Sequence, residues 1–254
     1  MAKGLPHPRV NRSRRVRVLT DLSVAEVPEA KQSVAEKLGL WLDFTEAVSL
    51  FSVLSPDPDG DWPEQGSALE NTVMGAEYDR VRRLLTDSIM SDGVFNAGVV
   101  RIKLPTPAPN ASVESAADFS PYHRYYLAHQ RDMNAQINPL RVQVRNALTG
   151  HSPVLKRLAA LDAVLDGALA TRERNLLSML PLLVAKRFEH LFKTHQAARS
   201  EISVQDDPAS WMQPGEWLFG FCRDMQAVLL AELEIRMEPV AGLIEALGHE
   251  ETKS

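Results

Sequence analysis

The 254-residue chain is long enough for one large domain or two small ones, and at this length folding buries ~70–75% of the unfolded surface without needing a covalent or metal staple. Apolar residues at 44% and charged residues at 24% are ordinary for a globular protein and exclude wholesale disorder. The 28 basic and 33 acidic side chains leave a net charge of −5, which excludes a global basic field for nucleic acid or anionic membrane, and the single cysteine, Cys222, excludes a disulfide framework and any cysteine-rich zinc module.

No apolar run reaches the ~20 residues that span a bilayer, and the N-terminus lacks the apolar core of a signal peptide, so the chain reads as cytoplasmic. Residues 1–17 carry Lys3, Arg9, Arg12, Arg14, Arg15 and Arg17 with no acid, which predicts a mobile basic arm over 1–15. Such an arm suits nucleic acid or lipid headgroups, or serves only as a solvated tail. A unit of short helices follows over 16–54: Val16–Leu22, then a segment opened by Pro28 with Val34, Leu38 and Leu42 at helical spacing. A third helix, capped by Asp43 or Thr45, carries Val48, Phe51 and Leu54, and Trp41 and Phe44 are expected to anchor this unit in the core. The loop 55–66 is acidic, but Asp57, Asp59 and Asp61 fail the calcium-loop spacing, because Trp62 and Ala68 occupy the turn-glycine and bidentate-glutamate positions.

A helix is predicted within 67–92, with Val73, Tyr78, Val81, Leu84, Leu85 and Ile89 facing inward. Over 93–117 the alternating Pro105, Pro107 and Pro109 exclude a helix and predict an extended tether, with Val99–Leu104 as a lone strand-like piece packed without a partner strand. Residues 118–248 read as a bundle of long helices ahead of a tail, 249–254. One runs from Pro121 to Thr149 on the stripe Tyr122, Tyr126, His129, Met133, Ile137, Leu140, Val144, Leu148. Gly150, Ser152 and Pro153 then force a hairpin into a leucine-striped helix that Pro181 kinks or interrupts. Beyond a polar break the last helix carries Leu218, Cys222, Met225, Leu229, Leu233, Met237, Val240, Ile244 and Leu247 and is bent at Pro239. The fold expected is all-α, an elongated bundle of proline-bent antiparallel helices with coiled-coil-like stripes.

Catalytic chemistry finds no motif. His190 and His195 are five apart, and a lysine stands where a helical zinc site needs its first histidine. There is no Glu-x-x-His pair, no nucleophile elbow and no phosphate-cradling glycine loop, so no catalytic residue, cofactor or metal is assigned and the chain reads as non-enzymatic. Asp162 and Asp166 lie one turn apart and read as a bundle-edge face. Aromatic and arginine side chains mark protein interfaces, which makes Tyr122, Tyr125, Tyr126 and Arg131 the interface candidates, with Trp211 and Trp217 as second anchors or core. The spacing fits self-closure or a second copy equally.

The stretches VPEAKQSVAEKLGLWLDFTEAVSL (27–50), DFSPYHRYYLAHQRDMNAQINPLRVQVRNAL (118–148) and LAALDAVLDGALATRERNLLSMLPLLVAKRFEHLF (158–192) resemble a proteobacterial family, domain of unknown function number thirty-three forty-eight. The resemblance implies a bacterial protein encoded near TolQ/MotA/ExbB-like proton-channel and OmpA-like proteins, and it carries no catalytic residues. The expected function is a helical adaptor or scaffold, with the channel partner implied by the resemblance alone. The alternative is a nucleic-acid-associated protein using the basic arm.

Overall fold

Among residues 41–55, 68–200 and 206–251, which the computed structural model describes, helices alternate with irregular segments and no strand occurs. The basic arm, the two short helices expected before residue 40 and the acidic triad Asp57, Asp59, Asp61 lie outside the described residues.

Helix α1 (Phe44–Leu54) is started by Asp43, whose carboxylate accepts the Glu46 N–H while the Glu46 carboxylate accepts the Asp43 N–H, so two otherwise orphaned donors are satisfied reciprocally. Helix α2 (Ala68–Met90) buries Val81, Leu85 and Ile89 and exposes Asp79, Arg80, Arg82, Arg83 and Asp87, as the spacing predicts. Val73 departs from that reading and is exposed.

The proline-rich segment after α2 is laid against the bundle rather than held off it. The Asp92 carboxylate accepts the N–H groups of Val94 and Phe95, the Leu104 N–H returns to the Asp92 carbonyl at 3.1 Å, and the Leu104 side chain is fully buried. Gly93 turns the chain with φ 75°, and a side chain at Gly98 would meet the Ser91 hydroxyl at 2.5 Å. A single helical turn, α3 (Val113–Ala116), interrupts the tether that the prolines predict.

Helix α4 (Ser120–His151) buries every residue of its predicted stripe and continues through Pro139, which the sequence reading passed over. Ser152 accepts the Leu155 N–H and starts α5 (Pro153–Ser178), making the hairpin. Pro181 separates α5 from α6 (Leu180–Ser200). Its missing N–H would have bonded the Leu177 carbonyl, and the Gln130 carboxamide of α4 donates to that carbonyl instead, at 3.2 Å. After the 3-10 turn Pro208–Ser210, α7 (Trp217–Glu251) buries Leu218, Cys222, Met225, Leu229, Leu233, Met237, Val240 and Leu247, with Ile244 partly covered.

Contacts give the direction of each rod. Gln130 meets Leu177 while Arg145 meets Asp162, so α4 and α5 run antiparallel. Arg187 pairs with Asp224 while Phe192 packs on Trp217, so α6 and α7 are also antiparallel. Tyr122 touches Phe221 and Asn134 touches Arg236, which makes α4 and α7 parallel neighbours. The rods thus run up, down and up, as the expected antiparallel bundle requires, with the first and third parallel as a consequence. Helix α2 packs on α4 and α7, and α1 lies on α5.

Candidate protein-interaction site

Between α4 and α7 lies a buried carboxylate. Glu232 is 1% exposed, and Tyr126 Oη donates to its Oε2 at 2.8 Å. Gln130 Nε2 donates at 3.0 Å and Arg236 Nε at 2.8 Å to its Oε1. Arg236 in turn donates to the Asn134 Oδ1 at 2.6 Å. Burial, and then the Glu232 charge, push the Tyr126 phenol well above its ordinary value, so it stays a donor. Both Glu232 oxygens are matched by donors, which makes the cluster a structural pin between two rods.

This pin floors an open cleft of about 380 Å³ between α4, α5 and α7. Prolines 139 and 239 flank or line it, and each breaks one backbone hydrogen bond of its helix. At one end Arg141 and Arg145 grip Asp162 and Asp166 across the hairpin at 2.6–2.7 Å. Burial alone would raise the Asp162 carboxyl, but the two guanidiniums outweigh it and hold it below the usual range. Reading Asp162 and Asp166 as a bundle-edge face missed these arginine partners, because pairs 17 to 25 residues apart carry no local signal.

The aromatic interface candidates are placed differently from expectation. Tyr122, Tyr125 and Tyr126 are buried, with Tyr122 packed against Phe188 and Phe221 at 5.5 Å. Trp211 and Trp217 stand 5.1 Å apart in the same core, beside Phe192. The interface reading of the three tyrosines is therefore corrected: as folded here they offer no surface to a partner, with Phe188 of α6 and Phe221 of α7 on Tyr122, and the tryptophan pair takes the core alternative. Arg131 remains exposed on α4. His195 is held by the Asp206 carboxylate at 3.0 Å, and Asp206 also accepts Trp211 Nε1–H at 2.8 Å, so the histidine fixes the α6–α7 connection. Among the described residues no three His, Cys, Asp or Glu side chains gather as a metal site.

His129 is interior as expected but is not satisfied, since its Nε2 is buried without a partner beside the Tyr125 ring at 4.6 Å. Burial first, and the Arg101 cation second, lower it to about 4. Burial likewise pushes the Cys222 thiol up.

Helix α1 carries a run of exposed apolar side chains, and Leu176, Met179 and Leu182 are open at the α5–α6 break. Phe44 is 85% and Phe51 73% exposed, with Val48 and Leu54 also open, so the expected anchoring of Phe44 in the core is overturned. Leu42, Leu50 and Val53 take the inward side against α5, and the Arg172 guanidinium donates to the Trp41 carbonyl at the start of the unit. A helix that is apolar on both faces and covered on one has an interaction surface left over. No described helix is long and apolar enough to cross a membrane.

The chain belongs to a family described as protein of unknown function (DUF3348), whose model matches residues 1–249. The match therefore includes the basic arm and the acidic loop, which the resemblance left out. No curated protein and no solved structure matches the chain.

Proposed function

We propose that this member of a family with no assigned activity is a non-enzymatic helical adaptor, whose docking element is the apolar face of α1. The observation that supports it is the stripe Phe44, Val48, Phe51: three large apolar side chains at steps of four and three, all open, on a helix fixed to the bundle by its opposite face. Burying two phenylalanines and a valine on a partner yields about 5 kcal/mol or more, before the cost of association. A rigid four-rod support suits a scaffold, because it presents the stripe without an ordering cost.

The partner the resemblance implies is an integral proton-channel subunit of the TolQ/MotA type, and the adaptor would meet it from the cytoplasmic side. Co-purification from detergent-solubilised, nuclease-treated native cells tests this, comparing the natural chain with Phe44→Asp/Phe51→Asp. Recovery of a channel subunit with the natural chain and its loss with the variant is the expected result. Recovery of no protein, with nucleic acid co-purifying only when the nuclease is omitted and only with the arm Arg9–Arg17 present, would replace the adaptor reading.

A further inference from the structure

The cleft above Glu232 has a second use. Along α4 its rim carries Gln130, Asn134 and Asn138, carboxamides at i, i+4 and i+8. Successive members rise ~6 Å along a helix, close to the ~6.6 Å that two residues of an extended chain advance. A carboxamide has the same donor and acceptor pair as a peptide group, so a row with this spacing can bond alternate peptide units of an extended strand. Two of the three have capacity to spare: among the described residues Asn138 has no hydrogen-bond partner, and Asn134 uses only its Oδ1, towards Arg236.

The remaining lining selects among ligands. The lining carries three guanidiniums (Arg141, Arg174, Arg236) and two carboxylates (Asp166, Glu173), and behind it Arg236 is neutralised by the buried Glu232 and Arg141 by Asp162 and Asp166, which leaves little free charge to draw a polyanion. No aromatic ring lines it, which removes the stacking platform that bases require. Ala170 and Leu177, both half-buried, supply an apolar patch that one aliphatic side chain can cover. The span from Gln130 to Asn138 is ~12 Å, about four extended residues.

We infer that the α4–α5–α7 cleft binds a short extended peptide segment of a protein partner, main chain on Asn134 and Asn138 and one aliphatic side chain on Ala170 and Leu177. This deepens the adaptor reading by giving it a second, sequence-tolerant contact, and it does not use α1.

The test is selection of short random peptides displayed on phage against the full chain, followed by fluorescence anisotropy with the selected peptide. Asn134→Ala/Asn138→Ala is expected to weaken the peptide by about tenfold or more, with Asn138→Ala alone intermediate, as the donor–acceptor pair of Asn138 and the donor of Asn134 are lost. N-methylation of the peptide backbone should weaken it similarly, whereas Phe44→Asp/Phe51→Asp should bind as the natural chain does, separating this site from α1. Selection of no peptide, equal binding by the double variant, or cleft-dependent binding of a single-stranded oligonucleotide instead would each overturn the inference. Circular dichroism of the variants distinguishes lost binding from lost folding.

Discussion

Tyr126 and Glu232, 106 residues apart in the chain, meet through a 2.8 Å hydrogen bond from phenol to buried carboxylate. A carboxylate at 1% exposure is stable only while its donors are in place, so this pair fixes α4 against α7 and holds open the cleft above it. Tyr126→Phe removes one donor and is expected to cost about 2 kcal/mol in urea denaturation. Glu232→Ala strands Arg236 and should cost about 3–5 kcal/mol. A double variant losing clearly less than the sum would show that the two act as one unit.

Acid should weaken the fold in two separable windows. His129 is neutral in the fold, held down to about 4 from 6.5, whereas the unfolded chain takes up a proton near 6.5. The unfolded state therefore binds more protons as pH falls, and stability drops between about 6.5 and about 4, by up to about 3 kcal/mol, then levels off. Asp162 is depressed below 3.8, so its contribution is present above that value and is lost only further down. His129→Gln should flatten the upper window and leave the lower one; stability measured against pH for both chains checks this.

Asp206 joins the half-buried His195 to Nε1 of the fully buried Trp211. Asp206→Ala leaves both donors unmatched and should cost about 2–4 kcal/mol. Thermal unfolding, followed by the fluorescence of the four tryptophans, reads the loss.

Cys222 is fully buried and its thiol is pushed up by burial, so a thiol reagent at neutral pH should label it no faster than the bundle opens. Labelling in the absence of denaturant, compared with unfolding rates, gives the check.

The rods were readable from the residues because α4 and α7 repeat apolar side chains at steps of three and four without interruption, from Tyr122 to Leu148 and from Leu218 to Leu247. Direction follows from connectivity: the short Gly150–Pro153 junction reverses the chain once, and a second reversal before α7 makes α7 run parallel to α4. The α1 face was misassigned because FTEAVSLFSVL is apolar on two sides, and periodicity cannot choose which side a neighbour covers. Phe44 and Phe51 look like core residues for that reason. The tyrosine cluster erred the opposite way, since aromatics with arginine are as typical of interfaces as of cores, and only Phe188 and Phe221 closing over Tyr122 decides between them. The cleft left a trace that could have been followed: Glu232 and Gln226 sit on the buried side of α7 among Met225, Leu229 and Leu233, and an acid on an apolar stripe calls for a partner.

If α1 faces no partner, its stripe is only surface. Phe51→Ala should then change neither stability nor anything else; on the adaptor account it shifts unfolding by less than about 0.5 kcal/mol, because the ring is exposed, yet weakens co-purification of the partner.

The most direct measurement is photo-crosslinking in native cells from a benzoylphenylalanine placed at Val48, with the same probe at Arg82 on the exposed face of α2 as the control. The adaptor account predicts a discrete adduct from Val48 to a membrane-fraction protein of the channel type and none from Arg82. No adduct from Val48, or the same adducts from both positions, would contradict it.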